Sequence, residues 1–136
     1  VRVGISIWEI LVGGVTVPKV LIVDDTVFMR KILRNILFQG GLDVAGEAEN
    51  GKQAVELYMQ LKPDLVTMDI VMPEMNGIEA LKQIKSFDPD AKVVMCTAVG
   101  QEQMVKAAVK LGARGYIVKP FQAPKVIEEV KKVLGM

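Results

Sequence analysis

An α/β fold built on a doubly wound parallel sheet is predicted by three features of the sequence. From Lys19 onward, short β-branched runs alternate five times with longer segments of helical period. Four of these five runs are nearly continuous in apolar residues, the pattern of strands covered on both faces. At 136 residues the chain suffices for one domain with a proper core and falls short of two typical ones.

The expected strands are residues 20–23, a weaker one at 43–46, then 65–68, 92–95 and 115–118. The helices between them carry boundary signals. Ile32, Leu33, Ile36 and Leu37 form an apolar stripe that should end at Gly40 and Gly41. Asn50 and Gly51 open the second helix and Pro63 closes it. Asn76 can cap the third, with Glu79 reaching back as in a capping box. The fourth should run over 101–111 to Gly112, and the fifth carries Pro124 near its first turn, where a missing amide proton costs little.

Crossovers between parallel strands are right-handed, so helices can cover both faces only if the strand order reverses once. For five units the usual order is 2-1-3-4-5, the flavodoxin-like (βα)5 three-layer sandwich. Its ligands bind at the carboxyl ends of strands one and three. Residues 1–17 do not join the pattern: they are mostly apolar, with Trp8 and only Arg2 and Glu9 as charges. They are read as an N-terminal extension ahead of a domain at 18–136, either upstream of the native start or a real element used for packing or dimerisation.

Composition excludes several function classes. The net charge is +1 and no Lys/Arg run is interleaved with aromatics, which disfavours nucleic acid as a partner. A single cysteine, Cys96, lies in an apolar run, so no intrachain disulfide can form; a buried thiol and a reducing, cytoplasmic setting fit. No apolar stretch approaches the roughly 20 residues that span a bilayer, so membrane insertion is not expected. There is no histidine, hence no Ser-His-Asp triad, no Cys-His pair and no imidazole ligand. Any phosphohistidine must come from a partner.

Polar residues converge on the carboxyl ends of the strands: Asp24 and Asp25 after the first, Asp69 after the third, Thr97 after the fourth and Lys119 after the fifth. An aspartate after a strand is usually a helix cap, and a lone threonine or lysine is usually just a strand former or a surface charge. Three carboxylates beside one switch point repel one another and gain affinity for protons or a cation. Magnesium is the natural ion, since it needs few carboxylates and leaves positions open for phosphate oxygens. Asp69 is the best nucleophile for an aspartyl-phosphate, although a third metal ligand is its alternative role. Lys119 and Thr97 offer a cation and a hydroxyl donor to phosphoryl oxygens.

The motifs Val23-Asp24-Asp25, Met68-Asp69 continuing to Asn76-Gly77, Thr97-Ala98 and Lys119-Pro120-Phe121 resemble the signature of receiver domains of two-component response regulators. The likeness covers Lys19 to the C-terminus. It implies that Asp69 is the phosphorylation site and that Asp24, Asp25 and Asp69 bind magnesium, Asp24 directly or through water. The backbone carbonyl of Val71 is a further implied ligand. Thr97 and Lys119 would contact the phosphoryl group, Pro120 would follow a cis peptide bond, and Tyr116 matches an aromatic switch that turns inward as Thr97 moves. Phe28-Met29-Arg30, Ala45-Gly46-Glu47-Ala48 and Met95-Cys96-Thr97-Ala98 are most similar to the single-domain chemotaxis branch of that family, the CheY-like regulators. That branch implies a CheA-like histidine kinase as phosphodonor, the flagellar motor switch protein as output, and a phosphatase as a further partner. The output face would include Met104, Val105, Tyr116 and Lys125.

Val71 and Val99 are apolar at positions flanking the site where many relatives carry polar side chains able to guide a water, so slow self-dephosphorylation is expected. Four other readings compete. A magnesium-dependent phosphatase with an aspartate nucleophile needs an acid two residues after it, where Val71 stands. A flavin module needs a Gly/Ser/Thr-rich loop after strand one, and residues 26–30 are not one. The receiver of a chemotaxis methylesterase and a phosphorelay regulator are nearer rivals; in a full-length chain, a missing catalytic domain would argue against the former.

Overall fold

The computed structural model describes residues 16–136, and most of the extension expected at 1–17 lies outside the described residues. Five βα units follow in order: β1 (Lys19–Val23), α1 (Val27–Gln39), β2 (Asp43–Ala48), α2 (Gly51–Leu61), β3 (Leu65–Asp69), α3 (Gly77–Phe87), β4 (Val93–Thr97), α4 (Glu102–Lys110), β5 (Gly115–Val118) and α5 (Ala123–Leu134). The strands form one parallel sheet in the order β2-β1-β3-β4-β5. The expected doubly wound fold is the observed one.

Local chemistry sets the boundaries. Thr26 and Asn50 cap α1 and α2 by accepting from the amides of Met29 and Gln53. Asn76 caps α3 through the Glu79 amide, but only that half of the capping box forms among the described residues. Lys62 ends α2 in the left-handed region at φ 45°, one residue before Pro63. Pro124 sits in the first turn of α5.

Alternation along the strands sorts side chains into two cores. Leu21, Val23, Val66, Met68, Val93 and Met95 pack with Tyr58, Leu81 and Ile84 of α2 and α3. On the opposite face Val20, Ile22, Leu65, Val94, Cys96 and Ile117 pack with Leu33 and Leu37 of α1 and with Val126 and Val130 of α5. Cys96 is buried there, as its apolar neighbourhood predicts, and burial pushes its thiol pKa up.

Two strands depart from expectation. β2 runs on to Ala48, and its pairing with β1 passes from Val44 to Gly46 without Ala45, a bulge that breaks the alternation and makes the strand faint in sequence. β5 is apolar yet covered on one face only: Tyr116 is 50% and Val118 45% exposed. The strand lies at the sheet edge, and α4 beside it buries only Ala108. No helix among the described residues is long and apolar enough to cross a membrane.

Candidate functional site

The reversal of strand order opens a crevice between β1 and β3, and the loops after these strands bring the carboxylates together. The Asp24 amide donates to the Ala48 carbonyl at 3.1 Å, which extends the sheet one step past β1. The buried Asp24 carboxylate accepts from the Thr26 amide at 2.9 Å and the Thr26 hydroxyl at 3.1 Å, an Asx-turn that turns the chain into α1. Arg30 Nη1 donates to the Asp24 carbonyl at 2.6 Å, while Arg30 Nε and Arg34 Nη2 grip Glu47 at 3.0 and 2.7 Å. Burial opposes the charge on Glu47, but the two guanidiniums outweigh it and hold its carboxyl below the usual range. The Asp24 loop is thereby braced to β2.

Asp69 ends β3, paired with Cys96 of β4, and is buried. Helix α3 comes close beneath it because Gly77 has no side chain; a Cβ there would collide with the Asp69 carbonyl. The Gly77 amide donates to the Ile70 carbonyl at 2.8 Å, locking the turn.

One carboxylate oxygen from each of Asp24, Asp25 and Asp69 lies within 4.8 Å of the others. Lys119 Nζ sits between two of them, 2.7 Å from Asp24 and 3.2 Å from Asp69. Burial raises the Asp69 pKa to about 6; the neighbouring charges of Asp24 and Asp25 push it the same way and Lys119 pulls it down. For Lys119, burial works against the charged form, but the hydrogen bond to Asp24 and the charges of both carboxylates raise its pKa overall. Among the described residues one ammonium pairs with two of the three carboxylates, so the cluster is short of positive charge. Its donors are hard oxygens, partly buried and close enough to share one ion, which fits magnesium.

The remaining expected residues divide. Thr97 ends β4 and is buried, and its hydroxyl is engaged with Gln101 Oε1 at 3.0 Å rather than with Asp69. The Lys119 amide donates to the Thr97 carbonyl at 2.7 Å, and the Lys119–Pro120 bond is cis, as the resemblance implies. Tyr116 points away from the crevice and lines an apolar groove with Val105, Val109 and Val118 between α4 and β5. Lys125 lines the neighbouring groove beside α5, whereas Met104 lines neither. Val71 follows β3 with its side chain 54% exposed, and Val99 is 86% exposed.

Sequence reasoning missed Thr26, Arg30, Glu47 and Gln101. The Asp24-x-Thr26 spacing is an Asx-turn signal and was readable. Glu47 lies 17 and 13 residues from its two arginines, and nothing local announces that pairing.

A (βα)5 sheet with an acidic cluster and a lysine at its switch point defines a class of signalling domain. The response regulator receiver domain family matches residues 20–131, and the chain belongs to that family, within its CheY-like branch. It is 57% identical over 115 residues to the chemotaxis protein CheY of Thermotoga maritima, covering 85% of this chain and 96% of that one. Among solved structures, a CheX-CheY-BeF3-Mg complex from Borrelia burgdorferi superposes with a TM-score of 0.84 at 41% identity, over 90% of this chain and 92% of that one. The response regulator domain of Thermotoga maritima CheB superposes with a TM-score of 0.82 at 37% identity, over 89% and 98%.

Proposed function

We propose that the chain is a chemotaxis response regulator whose Asp69 takes a phosphoryl group from a phosphohistidine on a CheA-like kinase. The observation that carries this reading is the meeting of Asp24, Asp25 and Asp69 within 4.8 Å under a lysine that bridges two of them. An oxygen of Asp69 attacks phosphorus as the phosphorus–nitrogen bond of the donor breaks, leaving an acyl phosphate on Asp69; the partner's ring, protonated on its other nitrogen before transfer, departs as neutral imidazole. Lys119 offsets charge on the transferred group, and the Thr97 hydroxyl donates to one of its oxygens. Asp24, Asp25 and Asp69, with the Val71 carbonyl, would hold a magnesium ion, which supplies charge neutralisation for phosphoryl oxygens when bound. Beyond its own phosphorylation and dephosphorylation the domain performs no catalysis; it works in the cytoplasm as a relay.

The output partner is the flagellar motor switch protein, received on the face of α4, β5 and α5 that includes Met104, Val105, Tyr116 and Lys125. A phosphatase resets the signal. The exposed valines at 71 and 99 offer no polar group to guide an attacking water, so the phosphoryl group persists beyond seconds at room temperature; decay within seconds would sink that expectation. Mass spectrometry after incubation with acetyl phosphate and magnesium tests the acceptor. One added phosphoryl group is expected on the native chain and none on Asp69→Asn, and a gain by the variant refutes the assignment.

A further inference from the structure

Gln101 lies where α4 begins, yet its side chain makes no capping bond to its own helix. It folds back over the loop after β4. Its Oε1 atom accepts from the Ala98 amide at 2.8 Å and lies 3.0 Å from Thr97 Oγ1. The orientation of this amide is determined chemically. A backbone N–H can only donate, so the atom facing Ala98 must be the carbonyl oxygen; the Thr97 hydroxyl donates to its second lone pair, with the Ala98 carbonyl, at 3.2 Å, as the longer alternative acceptor.

A hydroxyl carries one proton. While Thr97 donates it to Gln101, or to the Ala98 carbonyl beside it, it cannot also donate to an oxygen on Asp69. We propose that Gln101 is a positioning residue whose side-chain carbonyl holds the Thr97 hydroxyl away from Asp69 until a phosphoryl oxygen draws it off. This rests on the reading of Asp69 as phosphoacceptor. A phosphoryl oxygen is anionic and accepts about twice as strongly as a neutral amide, so the exchange follows phosphorylation and does not precede it.

The exchange is felt beyond the crevice because Gln101 is also the entry to α4. That helix buries only Ala108, and the loop before it, from Ala98 to Gly100, is exposed. Loss of the Thr97 bond removes a tether from a weakly packed helix and leaves the Ala98 amide as the remaining partner of the Gln101 carbonyl. The residues α4 contributes to the apolar groove, Val105 and Val109, then shift against Tyr116 and Val118. The opening of the groove is thereby coupled to the state of Asp69.

The test compares Gln101→Met, which keeps the length and removes the acceptor, with Gln101→Glu, which keeps an acceptor oxygen. Each is titrated with acetyl phosphate and magnesium while Asp69 occupancy is read by mass spectrometry and amide exchange is followed at residues 102–105. At sub-saturating acetyl phosphate, Gln101→Met should raise occupancy by about three- to tenfold, the worth of one neutral hydrogen bond. Its α4 amides should exchange faster even without phosphoryl donor. Gln101→Glu should stay at or below the native level, and in a Thr97→Val background Gln101→Met should have no further effect. Should Gln101→Met fold poorly, Gln101→Leu makes the same comparison. Native-level behaviour of the Met or Leu variant, or an effect that persists without the Thr97 hydroxyl, overturns the proposal. If the native chain takes up no phosphoryl group at all, the acceptor reading fails instead.

Discussion

On the carboxylate side of the sheet, β1 is buried from Val20 onward and β3 along its whole length, with helices pressed on both faces. On the other side, β5 leaves Tyr116 and Val118 half exposed, and α4 commits one alanine to the core. The contrast assigns different work to the two regions. Carboxylates held within 4.8 Å of one another against their mutual repulsion need a frame that does not give. A surface that reports their state to a partner must have somewhere to move, and low packing density supplies that freedom.

The largest break in this comparison is expected from Gly77→Ala. A methyl group there would meet the Asp69 backbone carbonyl, so α3 must retreat from the site. We expect a loss of about 3 kcal/mol or more in denaturant unfolding, together with impaired phosphoryl uptake.

Asp69→Asn should act in the opposite sense on stability. The folded-state pKa of Asp69 is about 6 against an ordinary 3.8, so between those values the folded chain binds more protons than the unfolded one. Stability therefore declines as pH climbs through that window. In magnesium-free buffer the asparagine variant should be more stable than the native chain at pH 7 by about 1–3 kcal/mol. The difference should close as pH falls below about 4, and a difference independent of pH would contradict the assignment of burial as its cause.

Thr67, at the centre of β3, is fully buried and its hydroxyl has no hydrogen-bond partner among the described residues. Thr67→Val keeps the shape and removes the unpaired group, so stability should rise by about 1 kcal/mol with phosphoryl uptake unchanged. The smallest effect belongs to the loose side. Val109→Ala, half exposed on α4, should change stability by no more than about 0.5 kcal/mol while altering binding to the motor switch protein proposed as output. A cost comparable to that of Gly77→Ala would erase the distinction between the two regions.

Much of this was readable in the chain. Five hydrophobic runs with capping and breaking residues between them specify five βα units, since helix and strand periods are local properties. Asp24, Asp25, Asp69, Thr97 and Lys119 could be placed at strand ends for the same reason. β2 was faint because its bulge disrupts the two-residue period, and the exposed face of β5 was hidden because an apolar run looks the same whether or not something covers it.

By itself the sequence determined the unit count, the position of each chemical group along its strand, and the absence of histidine from these 136 residues, because order, period and composition are properties of the chain alone. The tertiary structure decided how those groups meet. Lys119 bridges partners 95 and 50 residues away, Arg30 and Arg34 clamp Glu47, and Gln101 takes the Thr97 hydroxyl across a loop. Such contacts depend on strand register, on the rotation of each side chain and on which helix lies above it. None of these is encoded in the spacing of residues along one segment.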